Sequence, residues 1–401
     1  MKKILSLVLA FMLVMVGSVV AAQDDEMEGP LVGFWEECAT PENLPETVTI
    51  GAIFGLSGPI GVYGNPQQQS VQLAVDEINA SAYLGEGTTL EVIIEDSNGD
   101  AEQAIAAMTK LVEEDGVVAV LGPTLSTEAF AADPIAQENG TVVMGVSNTA
   151  LGITEMGDFV FRDSLPESAV IPGTISQAVE ALGLETVGVL YGNDDDFTIS
   201  GYEVFMEALE ENAVAVLMEE TFARGDVDFS AQLTNLIAQE PDAIVASALA
   251  AEAIQIINQA RDLGFTGPII GGNGFNSPAV LAQTEGNSEG LIVGAAWNVQ
   301  NPENNDASVL FTEMFEAANE ALPDQFAAQA YTGAWLMATA IRCGDSVDRT
   351  DVRDALAVIQ EFYSPLGDFS FDDNRDPVHD PVAQIVFEGE FAPLSVIAEM
   401  D

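Results

Sequence analysis

The sequence predicts an α/β protein built from two similar units, each a parallel sheet covered on both faces by helices. Three observations carry this. From residue 47 onward, apolar runs rich in Val, Ile and Ala alternate with amphipathic stretches of helical period, the pattern of a parallel sheet buried on both sides. The alternation restarts after Phe159-Val160-Phe161-Arg162. At 401 residues the chain has the length of two ordinary domains, each large enough to bury a core.

In the first unit a strand is expected over 48–54, then a helix over 66–80 with Val71, Leu73, Ala74, Val75 and Ile78 as its apolar stripe. A strand over 90–94 follows, and Asp100 stands as the N-cap of a helix over 101–114. Strand 117–121, helix 126–138 and strand 142–146 complete the unit. The second runs through helix 169–182, strand 187–190, helix 197–211, strand 214–219, helix 229–239, strand 243–247, helix 251–263 and strand 268–270. After a strand over 291–296 the pattern turns helical at 309–321, 327–341 and 352–359, and an apolar run over 382–387 comes last. This late material is too little for a third domain. It is expected to return and complete the first two, which implies several crossings between them.

The N-terminus sets the compartment. Lys2 and Lys3, the apolar run 4–16 and the small residues Val20-Ala21-Ala22 follow the order of a secretory signal peptide over 1–22, cleaved before Gln23. The run is short of the ~20 residues a spanning helix needs. No Cys follows the small residues, so the mature chain is expected to be periplasmic or extracellular and not a lipoprotein. Residues 23–46 read as a polar extension. Of 10 basic residues, cleavage removes Lys2 and Lys3, leaving 65 acidic residues against eight basic ones, a balance of −57. Such a surface repels nucleic acid and anionic membranes, which makes both poor partner candidates, and no nucleic-acid partner is expected. The acidity is expected to reflect a saline or acidic medium. Cys38 and Cys343 form an even pair in an exported chain, so one disulfide is expected, tying the extension to the helix that ends near Arg342; two free thiols are the alternative.

In open parallel sheets, ligands bind beyond the carboxyl ends of the strands. That rule selects 55–64, with Ser57 and Tyr63; 122–127, with Ser126 and Thr127; and Ser147-Asn148-Thr149. In the second unit it selects 191–197, ending at Phe197; 248–252, with Leu249; and 271–275, with Asn273. Hydroxyls and free N–H groups where a helix opens at Ser126 suit a carboxylate. Plainer readings exist: Ser126 as an N-cap alone, Tyr63 as a core aromatic, Asp194-Asp195-Asp196 as a solvated turn, Gly271-Gly272-Asn273-Gly274 as a tight turn. Convergence on one cleft separates the two sets. No cofactor, metal site or enzymatic machinery is expected. His379 is the sole histidine, neither a G-x-S-x-G motif nor a P-loop occurs, and paired carboxylates are plentiful by composition alone.

The stretch Ile50-Gly51-Ala52-Ile53-Phe54-Gly55-Leu56-Ser57-Gly58-Pro59, then Tyr63-Gly64 and Ala74-Val75-Asp76-Glu77-Ile78-Asn79, resembles the start of leucine/isoleucine/valine-type periplasmic binding proteins. Gly122-Pro123 with Ser126, Phe161-Arg162, Asp228-Phe229-Ser230, Gln259-Ala260-Arg261, Gly271-Gly272-Asn273-Gly274 and Phe371-Asp372 follow in the family's order and spacing. The resemblance covers residue 47 to the end. It implies the type I architecture: two Rossmann-like lobes with parallel sheets, joined by a three-strand hinge. Lobe 1 would comprise 47–165 and 298–378, and lobe 2 166–297 and 379–401. It implies that Ser126 and Thr149 hold a ligand's α-carboxylate and that the backbone carbonyl of Ser147 receives its ammonium. Tyr63 would cover the ligand from the first lobe and Phe197 would face it from the second.

Two positions depart from the family. Asn273 stands where an acidic residue commonly meets the ammonium, and the aromatic near Leu249 is missing. Glu252 or an Asp among 194–196 is expected to compensate; failing that, the ligand is an amide or simple carboxylate. The implied function is capture of an amino acid, branched-chain or similar, by a monomer that closes on it and docks on an ABC permease. The alternative is a sensor presenting its ligand in trans to a membrane receptor. Genes for a permease and two ATPases beside this one would favour the first, and a neighbouring receptor kinase the second.

Overall fold

The computed structural model describes residues 30–395. The signal peptide expected over 1–22, the start of the extension (23–29) and residues 396–401 lie outside that range. Among the described residues, no helix is long and apolar enough to cross a membrane.

The first sheet has the order β2-β1-β3-β4-β5, all parallel. Its elements are β1 (Thr47–Phe54), α1 (Gly61–Ala80), β2 (Thr89–Asp96), α2 (Ala101–Thr109), β3 (Ala119–Leu121), α3 (Ser126–Glu138), β4 (Val142–Gly145) and β5 (Val160–Arg162). Side chains alternate across a strand, and both faces are apolar here. Ile50, Ala52 and Phe54 pack into one core. Ile53, Val120 and Val143 pack on the other side with the helices α2 and α3.

The chain then crosses to the second sheet through α4 (Glu167–Leu182), β6 (Thr186–Gly192), α5 (Asp196–Glu211), β7 (Ala215–Phe222), α6 (Ser230–Ile237), β8 (Ala243–Ser247), α7 (Ala250–Asp262), β9 (Ile269–Gly271), α8 (Pro278–Thr284) and β10 (Leu291–Ala295). It returns to the first lobe as α9 (Asp306–Asn319), α10 (Gln325–Gly344), α11 (Arg349–Ala357) and a three-stranded meander, β11 (Phe362–Ser364), β12 (Gly367–Phe371) and β13 (Pro377–Val378). A third crossing brings β14 (Val382–Phe387) and β15 (Glu390–Pro393) onto the second sheet, whose order is β15-β14-β10-β9-β8-β6-β7. That sheet is parallel from β10 to β7, while β14 and β15 add to it antiparallel.

α10 is buried on every side from Gln325 to Arg342, as a helix apolar all round must be. It lies in the core of the first lobe with Trp335 and Tyr331 fully enclosed. Residues 31–44 strap across this lobe. Phe34 N–H donates to the Tyr83 hydroxyl at 2.8 Å. Arg342 donates to the Cys38 carbonyl at 2.9 and 3.0 Å and lies over the rings of Trp35 and Tyr83. Cys38 and Cys343, 305 positions apart in the sequence, are joined in a disulfide with Cα atoms 5.1 Å apart. A bridge closing so long a loop restricts the unfolded chain strongly. Its reduction is expected to cost roughly 2–5 kcal/mol, read as a lower urea midpoint in dithiothreitol. An unchanged midpoint would mean that packing alone holds the strap.

The elements depart from the sequence expectations in a few places. α1 begins at Gly61 rather than at Pro66, so the proline lies inside the helix, in its second turn. α8 and the β11–β13 meander were not foreseen. α8 has only seven residues, too few for a periodic signal. The meander strands pair only with one another and lack a long apolar run.

Candidate functional site

The carboxyl ends of the two parallel sheets meet around a narrow cavity of about 20 Å³. Its wall includes Tyr63, Ser126, Ser147, Phe197, Leu249 and Asn273, together with Thr124, Leu125, Gly274 and Phe326. Six of the ten residues expected from sequence are thus brought together. Four are not on the wall. Ser57 is exposed, with its backbone and hydroxyl bonded to Asp96. Thr127 bonds across to Asp195 at the rim. Asn148 is buried with its amide on the Pro123 carbonyl. Thr149 is buried behind Ser126, and its Oγ1 has no hydrogen-bond partner. Of the residues missed, Thr124, Leu125 and Gly274 adjoin the expected positions. Phe326, on the first turn of α10, carries no local signal that would have found it.

Ser126 opens α3. Its Oγ accepts N–H bonds from Thr149 and Ala150, both at 3.2 Å. The hydroxyl hydrogen is therefore left to give. The first N–H groups of a helix lack intrahelical partners, so this corner is rich in donors. Ser147 presents the opposite character, because its hydroxyl is engaged. Gln67 Nε2 donates to Ser147 Oγ at 2.7 Å, Ser147 Oγ donates to the Thr124 carbonyl at 2.6 Å, and Thr124 Oγ1 donates to Gln67 Oε1 at 2.7 Å. Gln67 therefore ties α1 beneath the loops after β3 and β4. What Ser147 offers the cavity is its backbone carbonyl, which Asn273 Nδ2 approaches at 3.5 Å.

Tyr63 reaches from the first lobe into the second. Its hydroxyl donates to the Gly274 carbonyl at 2.7 Å and accepts from Ala250 N–H at 2.7 Å. The ring lies 4.8 Å from that of Phe326. Burial holds the phenol far above its ordinary pKa, so it stays a neutral donor. With Phe197, Leu249 and Leu125 these rings form the apolar part of the wall.

Neither Glu252 nor any of Asp194–Asp196 lies on the cavity wall. Glu252 Oε1 accepts from Gly225 N–H at 2.7 Å, and Asp195 caps α5 through Phe197 and Thr198. Glu167, the first residue of α4, is buried instead beside the wall, and its Oε1 accepts from Asn273 N–H at 3.2 Å. Its own N–H donates to the Thr149 carbonyl at 3.2 Å. Burial raises its pKa to about 7, against the opposing pull of the Asn273 N–H. Asn273 Oδ1 accepts from Gln325 Nε2, so Asn273 joins α10 to the second lobe.

Two α/β lobes crossed three times by one chain, with strand ends facing each other around a partly open cleft, define a hinged solute-binding protein. The chain matches the family model described as Periplasmic binding protein over residues 47–387 and belongs to that family, a solute-binding rather than an enzymatic class. It is 25% identical, over 82% of its length and 87% of the relative's, to the leucine-, isoleucine-, valine-, threonine-, and alanine-binding protein of Pseudomonas aeruginosa. Among solved structures it resembles the branched-chain amino acid transporter substrate-binding protein of Streptococcus pneumoniae in complex with isoleucine. That match has a TM-score of 0.81 and 30% identity, and covers 86% of this chain and 97% of that one. A leucine-binding protein of Thermotoga maritima gives a TM-score of 0.82 and 25% identity over the same shares.

Proposed function

We propose that the protein captures an α-amino acid with a small apolar side chain and delivers it to an ABC permease. The observation that carries this is Ser126 Oγ, which accepts two backbone N–H groups at the start of α3 and keeps its own hydrogen for a carboxylate. Thr149 Oγ1, buried without a partner, is the second hydroxyl of that half. The Ser147 carbonyl, Asn273 Oδ1 and, behind them, Glu167 form the ammonium half. A buried ammonium needs charge or several acceptors, and Glu167 supplies the charge that Asn273 lacks. Tyr63, Phe197, Leu249 and Phe326 bound the space for an aliphatic side chain. The names of the Pseudomonas and Streptococcus relatives point to the same ligand class.

In this reading the mature protein starts at Gln23, works outside the cytoplasm as a monomer without a lipid anchor, and closes by rotation about the three crossings. Its moving bodies are 47–165 with 298–378, and 166–297 with the return from 379. A ligand shifts that equilibrium only by its extra affinity for the closed form.

A second reading follows from Glu167 itself. Kept protonated, it would leave the site neutral and suited to a carboxylate without an ammonium. A thermal-shift screen separates the two, because a ligand of the native state raises the melting temperature. Leucine is expected to raise it, with much smaller shifts from leucinamide, which lacks the carboxylate, and from 4-methylpentanoate, which lacks the ammonium. A shift from 4-methylpentanoate equal to that from leucine would favour the second reading. A shift from neither would refute both.

A further inference from the structure

We propose that Arg224 is the closure latch of this cleft, the basic side chain that ties two anionic lobes together and so sets how long a captured solute is held. The proposal rests on the reading of the cavity as a site that opens and closes.

Arg224 stands just beyond β7 in the second lobe. Its Nη2 donates to the Gly99 carbonyl of the first lobe at 3.0 Å, and its Nη1 lies 3.7 Å from Asp195 Oδ2. Asp195 Oδ2 in turn accepts from Thr127 Oγ1 of the first lobe at 3.2 Å, and Thr127 Oγ1 accepts from Asp196 N–H at 3.0 Å. One guanidinium therefore organises two bridges across the rim. It also faces Glu128 from the first lobe and Glu252 from the second, each buried and each with one oxygen that has no partner. Closure brings these carboxylates together, and without a cation between them it would be opposed.

The arrangement has no substitute among the described residues. The other seven basic side chains outside 1–22 bond within their own lobe or to the N-terminal strap. The loop that carries Arg224 does not depend on the side chain for its shape. Backbone N–H groups of Ala223, Arg224 and Gly225 are held by Asp226, Asp194 and Glu252 of the same lobe. Removing the guanidinium is thus expected to leave both lobes folded and to change only how they meet.

Salt separates an electrostatic latch from simple packing. At about 50 mM salt, charges across the rim act over more than 10 Å, and at about 1 M over only about 3 Å. Added salt weakens both the latch and the repulsion it offsets, so the cost of losing Arg224 must shrink.

The test uses the mature protein, Arg224→Gln and Arg224→Lys, with leucine affinity and release rate measured at both salt levels. Small-angle scattering is recorded with and without leucine. Arg224→Gln is expected to bind leucine at least about tenfold more weakly at low salt, mainly through faster release. The deficit should fall to within about threefold at high salt, and Arg224→Lys should recover part of it. Equal affinity of Arg224→Gln and the parent at low salt, or a deficit identical at both salts, overturns the latch. If the parent itself binds no leucine, the proposed ligand fails and scattering alone decides. A larger radius of gyration for Arg224→Gln than for the parent at low salt, vanishing at high salt, supports the latch. Equal radii at low salt overturn it.

Discussion

Replacing Glu167 with Gln is expected to weaken amino-acid binding by roughly 100-fold or more, the cost of leaving a buried charge without its partner, and to remove the dependence of affinity on pH. Glu167 is the buried acid that bonds Asn273, the residue standing where the family commonly has a carboxylate. With its pKa raised to about 7 by burial, the carboxyl is protonated in the empty cleft below that pH. An ammonium needs the ionised form, so binding below pH 7 must release a proton. Affinity should then climb as pH rises from 5 to 7, by up to about tenfold per unit, and level off above. The glutamine variant should bind weakly and equally across that range. Calorimetric titration with leucine at pH 5.5, 6.5 and 7.5 reads both effects. A parent affinity independent of pH, or a variant that binds like the parent, would remove Glu167 from the ammonium half.

Stability should run the other way with pH. Burial raises Glu128, Glu167 and Asp324 to about 7, and it raises Asp133 and Asp163 well above their ordinary values. A carboxyl whose folded pKa exceeds its unfolded one holds an extra proton in the folded state. Its contribution is full below the unfolded pKa, near 4, and is lost as pH rises to about 7. Between pH 7 and 5.5 each of the first three gains on the order of 2 kcal/mol. His379 opposes them. Burial lowers its pKa to about 4, so it destabilises the fold as pH falls below about 6.5, by on the order of 1 kcal/mol at pH 5.5. Urea unfolding should therefore show greater stability at pH 5.5 than at pH 8. Surface repulsion among 65 acidic residues adds to the loss at high pH, and salt should recover that part alone, since buried groups are screened far less. Asp324→Asn keeps an N-cap on α10 while removing one of the titrating carboxyls, so its pH slope should be shallower. A stability that rises from pH 5.5 to pH 8 in dilute buffer would contradict this assignment of buried protons.

What the sequence could reveal follows the range of the interactions. The βα alternation is local, and it yielded both sheets and most helices. The loops at the strand ends are local too, and six residues chosen from them meet at one cavity. The rest depends on contacts across the chain. Gln67 is an unremarkable helix residue until the fold places it on Ser147, 80 residues away. Phe326 lies in a helix of the returning segment, and Tyr63 reaches Gly274 over 211 residues. Nothing in the spacing of 162–167 distinguishes Glu167 from any acid that opens a helix. In a chain so rich in carboxylates, what sets Glu167 apart is its bond to Asn273 at the cavity wall, a contact made across 106 residues. Arg224 is the converse case: cations are scarce, and its position at the rim gives that scarcity a role.

The central claim is that the cleft holds one amino acid by its carboxylate at Ser126. Titration calorimetry of leucine, isoleucine, valine, threonine and alanine into the mature protein tests it most directly. One molecule is expected to bind per chain, with a Kd of about 1 μM or tighter for at least one of the five and a loss of about 10- to 100-fold in Ser126→Ala. No heat from any of the five, or tight binding untouched by Ser126→Ala, would contradict it.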